Sequence, residues 1–560
     1  MGKAAARPWG MGIGLAVLGL AAAVVVLGER VWLAAVTPLW LDETWTLAII
    51  SAPDAHGFWR EVYLDVNAPL YYVLMRGWTG VLGVSDLALR APGLILAPLA
   101  AALPLVIKPE GLPRGTRLGW AGLIFFWWGC GQFLDARCYA LLLALCVIQA
   151  VLFARLIRGP SLGRALAWTA ISAIAILCQY YALFITLAQG LVYLGVHRGR
   201  AIKTWPALIA FAPAAAWIAH HAPRLADYGR PDVAWHQTVD LGSSLSLAAF
   251  TLGGYPTMLS LAAVAILALA RLPPILDTRD PSRFSPPLRA ARGRWRAAER
   301  RDGGGAHNMP PPEPDVASER PLRRSATRCA TSPVSLRETG EEKNPAYVQV
   351  ALAGLLALAL VLLSGVLKPT LTARYLIPET PSILLGAALC AGGGRRGAAA
   401  LIGLVATYAA FALDPGAVLA KARAGAPYGT EASAGFLAAH HVSDLVFLWD
   451  HPATKIIDPG SLRRVGGVLL GRAGDAAQVI PLVAAPDEDA NMALLAAAQG
   501  PRPGLLWIYD RTGRTAAHSH PPRIAQIDPR WDCRTYGDGV VGQIACVRAA
   551  ASAPGRPNLP

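Results

Sequence analysis

Apolar residues run along this chain in blocks long enough to cross about 30 Å of hydrocarbon, separated by short polar segments rich in arginine. The first block extends from Met11 to about Val36 and is broken only by Glu29 and Arg30 near its far end. It follows Lys3 and Arg7, is too long for a signal-peptide core and lacks a cleavage site, so it reads as a membrane helix entering from the cytoplasm. Further spans are expected near Leu87 to Ile107, Leu118 to Leu134, Tyr139 to Ile157, Leu162 to Cys178, Tyr181 to Val196 and Trp205 to Ala219. The remainder lie near Leu245 to Ala270, Val348 to Leu367, Tyr375 to Cys390 and Ala398 to Leu413, which makes about 11 in all.

Two stretches break the pattern. Ala68 to Leu82 is apolar but short and carries Tyr71, Tyr72, Arg76 and Trp78, so it reads as an interfacial helix within an outer loop spanning 37–86. Residues 272–345 are rich in Arg, Pro, Gly and Ser and have few core-forming positions, as expected of a disordered cytoplasmic insertion. Beyond residue 415 the periodicity changes. Asp444 to Leu448, Ala477 to Val483 and Leu505 to Tyr509 read as strands, with Asp487 to Gln499 as a helix between them. The expected architecture is an all-α polytopic membrane module over 1–415 followed by a small extracytoplasmic α/β domain over 416–560.

Composition sharpens this picture in one respect. The 51 basic residues exceed the 36 acidic ones, a balance that elsewhere signals nucleic acid. Here the basic residues cluster between apolar runs: Lys108, Arg114 and Arg117; Arg155, Arg158 and Arg164; His197 to Lys203; the long segment 271–345; Arg395 and Arg396. All fall on one side, where the positive-inside rule places cytoplasmic loops, so the charge encodes topology and no nucleic-acid partner is expected. None of the eight cysteines makes a zinc-ligand spacing. Cys533 and Cys546 flank Gly537, Gly539 and Gly542, as expected of a hairpin closed by a disulfide in an oxidising outer compartment.

The polar residues that this parity places on the outer face are Asp42, Glu43, Asp65, Asn67, Asp135, Arg137, Tyr139, Arg374 and Tyr375. Each lies at a helix end or on an interfacial segment, where a site would meet the reactive head of a lipid-borne substrate. Guanidinium matches phosphate oxygens bidentately and stays charged, so Arg137 and Arg374 are candidates to grip a phosphate; the other reading anchors them in lipid headgroups. A carboxylate opposite them could take a proton from an acceptor hydroxyl. The tandem pairs His220–His221 and His440–His441 make poor chelates, because helical neighbours point about 100 degrees apart. Trp127, Trp128, Tyr180 and Tyr181 read as interfacial belt residues.

The acidic pair in the first outer loop, Asp65-Val66-Asn67-Ala68-Pro69-Leu70-Tyr71-Tyr72, Ser85-Asp86-Leu87-Ala88-Leu89-Arg90-Ala91-Pro92, Asp135-Ala136-Arg137-Cys138-Tyr139 and Ala373-Arg374-Tyr375-Leu376-Ile377-Pro378 together resemble a known motif series. It is that of GT-C fold glycosyltransferases, notably bacterial members of the dolichyl-phosphate-mannose protein mannosyltransferase group and lipid A aminoarabinose transferase. The resemblance covers about residues 10–415 without the insertion. It implies transfer of a sugar from a polyprenyl-phosphate donor to a lipid, glycan or protein acceptor at the outer face of a bacterial inner membrane, with inversion at the anomeric carbon.

Residue by residue, the resemblance makes Asp42 the catalytic base and Glu43 its acidic neighbour, and sets Arg137 and Arg374 near the donor phosphate. Glu43 would either tune Asp42 or help hold a divalent cation. Asp65, Asn67, Tyr71, Asp135, Tyr139 and Tyr375 complete the expected substrate-binding set. Many relatives carry Glu where Asp135 stands and His or Lys where Asn67 stands. The rival expectation is a non-enzymatic lipid or solute transporter, which would place ionisable groups near the bilayer midplane.

The arginine asymmetry yields a topological prediction. Reporter fusions after Gly199 and within 290–330 should read cytoplasm, and fusions near Gly229 and Gly500 should read the outer compartment. A cytoplasmic signal after Gly500 would overturn the span parity.

Overall fold

A computed structural model of the chain describes residues 9–127, 134–230, 233, 239–255, 258–260, 262, 345–368, 371–391, 394–414, 430–474, 477–482, 488–510, 524, 528–537 and 541–549. The membrane module contains α1 (Trp9–Val36), α2 (Leu41–Ile50), α3 (Ala55–Leu64), α4 (Leu70–Leu82), α5 (Asp86–Val106), α6 (Arg114–Phe126) and α7 (Tyr139–Arg158). It continues with α8 (Leu162–Cys178), α9 (Ala182–His197), α10 (Ala212–Tyr228), α11 (Leu241–Thr251), α12 (Pro345–Leu367), α13 (Thr380–Cys390) and α14 (Gly394–Ala412). Among the described residues, five helical stretches are long and apolar enough to cross a membrane, and four shorter apolar helices accompany them. The predicted insertion lies outside the described residues except Pro345, which opens α12.

The helix α7 forms the centre of the bundle. Its apolar stretch is 78% buried, against 11% for α1, whose exposed Val17, Leu18, Leu20 and Val24 are suited to lipid. Around α7 pack α5, α8, α12 and α13. Close approach within the bundle depends on small residues: a Cβ on Gly354 of α12 would lie 2.7 Å from the Ser382 Cβ and 3.1 Å from the Ile383 amide of α13. Such contacts let backbones meet where lipid offers no hydrophobic drive between helices.

Three elements differ from expectation or refine it. The stretch expected to span from Trp205 to Ala219 is split: Arg198–Phe211 winds as a 3-10 helix containing Pro206, and only then does α10 begin. The short apolar segment is α4, whose 13 residues reach about 20 Å, too little for a span. The span expected from Tyr375 begins instead with a 3-10 turn, Ala373–Leu376, that precedes α13.

The C-terminal part holds α15 (Thr430–Ala439), β1 (Asp444–Asp450), α16 (Pro459–Arg472), β2 (Gln478–Leu482), α17 (Glu488–Gln499), β3 (Gly504–Asp510), β4 (Trp531–Gly537) and β5 (Val541–Arg548). Its sheet has the order β2-β1-β3-β5-β4. The parallel pairs β1/β2 and β1/β3 require crossovers, which α16 and α17 supply, while β5 runs antiparallel to both β3 and β4. Cys533 and Cys546 stand opposite one another in the β4/β5 ladder and are joined by a disulfide.

The α12/α13 contact predicts that Gly354→Val lowers the unfolding midpoint of the purified protein, since overpacking of this kind costs about 1–3 kcal/mol. Gly163→Ala, with nothing within 4 Å of the added atom, is the neutral comparison. A Gly354→Val protein melting like wild type would contradict this packing.

Candidate active site

Asp42 and Glu43 occupy the first turn of α2, where the positive end of the helix dipole favours carboxylates. Being neighbours on a helix they point in different directions, and the structure separates their tasks. Glu43 turns inward and is fully buried. Its Oε1 accepts from Arg90 Nε at 2.8 Å and from the Ala136 amide at 2.7 Å; its Oε2 accepts from Arg90 Nη2 and from the Trp40 amide. The same guanidinium donates to the carbonyls of Ala34, Thr37 and Pro38. Both Glu43 oxygens are therefore spent on tying α2 to the end of α1, to α5 and to the turn before α7. Where the sequence suggested tuning of Asp42 or a divalent cation, the described partners of Glu43 are Arg90 and two backbone amides.

Asp42 faces the other way. Its Oδ2 lies 3.0 Å from Arg374 Nη1 and 3.8 Å from Arg137 Nη2. Arg137 also reaches the Asp42 carbonyl and Thr46 Oγ1, and Arg374 lies over the Trp40 ring. Burial pushes the Asp42 carboxyl up, but Arg374, Arg137 and His451 together outweigh it and hold the group below the usual carboxylate range. Two guanidinium groups thus share this one carboxylate. The Arg374 Nε is buried with no hydrogen-bond partner among the described residues, so the pair retains capacity for a further anion.

These groups line a cavity of about 110 Å³, several times the space one water needs. Of the residues expected from sequence, it gathers Asp42, Asp65, Asn67, Arg137, Arg374 and Tyr375. Asp65 Oδ2 accepts from Asn67 Nδ2 at 2.9 Å and from the Tyr72 hydroxyl at 2.6 Å, which shapes the link between α3 and α4. Glu43, Tyr71, Asp135 and Tyr139 are not among the lining residues, contrary to expectation: Tyr71 and Tyr139 pack in the buried core, and the Asp135 carbonyl accepts from the Arg137 amide in the turn that places Arg137.

The cavity also has walls that no local motif marks. Glu61 comes from α3, and Arg224 and Tyr228 from α10. The C-terminal domain adds Trp449, His451, Asp458 and Ser461. Arg224 donates to the Leu64 and Ile456 carbonyls at 3.0 Å each, bridging the end of α3 and the C-terminal domain. Arg60 to Asp458 at 2.9 Å, Arg464 to Glu61 at 3.1 Å and Arg472 to Asp86 reinforce that junction.

Other expectations resolve as follows. His221 bonds the Tyr180 hydroxyl through Nδ1 and the Tyr63 carbonyl through Nε2, and Trp217 donates to Tyr180, so this His and Tyr180 clamp α10 to α3. Trp127 is buried and donates to the Phe250 carbonyl. Trp127 is therefore an interior group and not a belt residue, Tyr180 is half-buried, and Tyr181 stacks on Tyr375 with centroids 4.5 Å apart; Trp128 lies outside the described residues. Among the described residues no three His, Cys, Asp or Glu side chains converge as metal ligands would.

No protein-family model matches the chain, and no curated protein matches it significantly by sequence. Solved structures do match it. ArnT from Cupriavidus metallidurans in the apo state is 12% identical, with a TM-score of 0.50, over 96% of this chain and 98% of that one. The same protein bound to undecaprenyl phosphate is also 12% identical with a TM-score of 0.50, over 98% of this chain and all of that one. ArnT is a lipid A aminoarabinose transferase of the GT-C fold. The chain has the GT-C fold, with several apolar helices and a small C-terminal sheet domain.

The Glu43 network predicts that Arg90→Ala destabilises the protein by about 3–5 kcal/mol, because it strands a buried carboxylate. Arg90→Lys should recover little, since an ammonium cannot reproduce the fork. Thermal unfolding in detergent would check this, and an Arg90→Ala protein of wild-type stability would contradict it.

Proposed function

We propose that the chain is an inverting glycosyltransferase that moves a sugar from a polyprenyl-phosphate carrier to an acceptor hydroxyl on the outer face of a bacterial inner membrane. The observation that carries this reading is the arrangement of Arg137 and Arg374 on Asp42, with Arg374 Nε left over. Two clustered, largely buried guanidiniums with spare donors fit a phosphate. The carboxylate between them fits a base. That a GT-C neighbour is bound to undecaprenyl phosphate supports the same donor class here. The ionisable cluster sits at helix ends, as an enzyme working on a lipid headgroup requires.

The chemistry balances with these groups alone. The acceptor oxygen attacks the anomeric carbon from the face opposite the phosphate, and the carbon–oxygen bond to phosphate breaks with inversion. The bonding pair leaves with the carrier, whose phosphate gains one negative charge in becoming a monoester. Arg137 and Arg374 stabilise that charge, so the leaving group needs no acid. The acceptor's proton passes to Asp42.

Donor binding also prepares the base. In the present arrangement Arg374 and Arg137 hold Asp42 ionised but weakly basic. A phosphate competing for the same guanidiniums loosens that grip, and burial then raises the carboxyl's affinity for a proton. Binding and base activation become one event.

Arg137→Ala and Arg374→Ala should each weaken undecaprenyl phosphate binding, with Lys restoring it only in part. Arg374→Gln removes the largest influence lowering the Asp42 pKa, so the acid limb of kcat/KM should move to higher pH. Binding titrations and a pH–rate profile in nanodiscs test both. Normal carrier affinity in both alanine variants would reduce these arginines to lipid anchors and remove the proposal.

A further inference from the structure

The cavity has a second end, chemically unlike the first. At the N-terminus of α16, Ser461 is 4% exposed and lines the cavity, yet its Oγ has no hydrogen-bond partner among the described residues. A buried hydroxyl left unsatisfied is costly, and a ligand hydroxyl would recover that cost. Beside it stand the carboxylates of Asp458 and Glu61, both also lining the cavity. Arg60 and Arg464 neutralise them, and neither arginine is among the lining residues. Arg224, which does line it, has its Nε and Nη2 committed to backbone carbonyls. This end therefore offers hydrogen-bond acceptors and a hydroxyl rather than spare cations.

It also offers flat apolar surface. Trp449 and His451 stack with centroids 4.3 Å apart and planes 9° apart, and Trp45 meets Trp449 at 5.7 Å. All three line the cavity with Asp42. An aromatic face next to carboxylates suits a molecule that is apolar on one side and rich in hydroxyl donors at its edge. A pyranose is such a molecule. A phosphorylated or uronic group at this end would find the nearby arginines already paired.

The geometry points to this end as the acceptor subsite, built largely by the C-terminal domain and taking a neutral carbohydrate, with Trp449 as its platform and Ser461 as a specificity-determining contact. The inference rests on the glycosyltransferase reading and adds the class of acceptor. It puts the acceptor hydroxyl against Asp42 from the side opposite the donor phosphate.

The test uses the full-length protein in nanodiscs, titrated with an array of neutral, phosphorylated and uronic oligosaccharides and, separately, with undecaprenyl phosphate. Wild type should bind at least one neutral oligosaccharide and prefer it to its phosphorylated counterpart. Trp449→Ala and Ser461→Ala should each weaken that binding about tenfold or more, while Trp449→Phe keeps part of it and undecaprenyl phosphate affinity stays unchanged. Wild type that binds no neutral oligosaccharide, binds only acidic ones, or binds as well in Ser461→Ala and Trp449→Ala would overturn the inference. A protein that holds neutral oligosaccharide normally but not undecaprenyl phosphate would leave this subsite standing and remove the donor reading instead.

Discussion

The ion pair between Glu43 and Arg90 is the constraint on which the site depends. Fully buried charges are tolerated only when every oxygen and hydrogen is engaged, and here Arg90 meets both Glu43 oxygens and three backbone carbonyls in and just past the last turn of α1. That network fixes the rotation of α2 about its axis. Once Glu43 is locked inward, Asp42 has to face the cavity. Because Glu43 is spent on Arg90, it neutralises neither Arg137 nor Arg374, and those two arginines converge on Asp42.

The charge arrangement that follows divides the cavity by chemistry. Its lining combines the guanidiniums of Arg137 and Arg374 on Asp42 with the carboxylates of Glu61 and Asp458, the Ser461 hydroxyl and the Trp449 and His451 rings. The junction of Arg60 with Asp458 and Arg464 with Glu61 keeps the C-terminal wall in register with α3. The sheet domain is thus part of the site and not an appendage to it.

Much of this was legible along the chain, for identifiable reasons. Apolar length alone located α1, α5, α7, α8 and α9 within a few residues, and short apolar runs located β1, β2 and β3. Parity of the loops brought Asp42, Arg137 and Arg374 to one face although hundreds of residues separate them. Two kinds of information were missing. Helical spacing says that Asp42 and Glu43 diverge, yet which one turns inward is decided by Arg90, 47 positions away. The contributions of Ser461, Trp449 and Glu61 depend on tertiary docking, which no local spacing encodes. Tyr71 and Tyr139, expected as substrate contacts from their motifs, pack in the buried core, a placement that local spacing does not reveal.

The central claim is that Asp42 removes the acceptor's proton. Single-turnover release of polyprenyl phosphate from a panel of labelled polyprenyl-phosphate hexoses and pentoses, compared between wild type and Asp42→Asn, tests it most directly, with carrier affinity measured alongside. The account predicts transfer slowed by about a hundredfold or more in the variant, with the carrier still bound. Transfer at the wild-type rate by Asp42→Asn would contradict it.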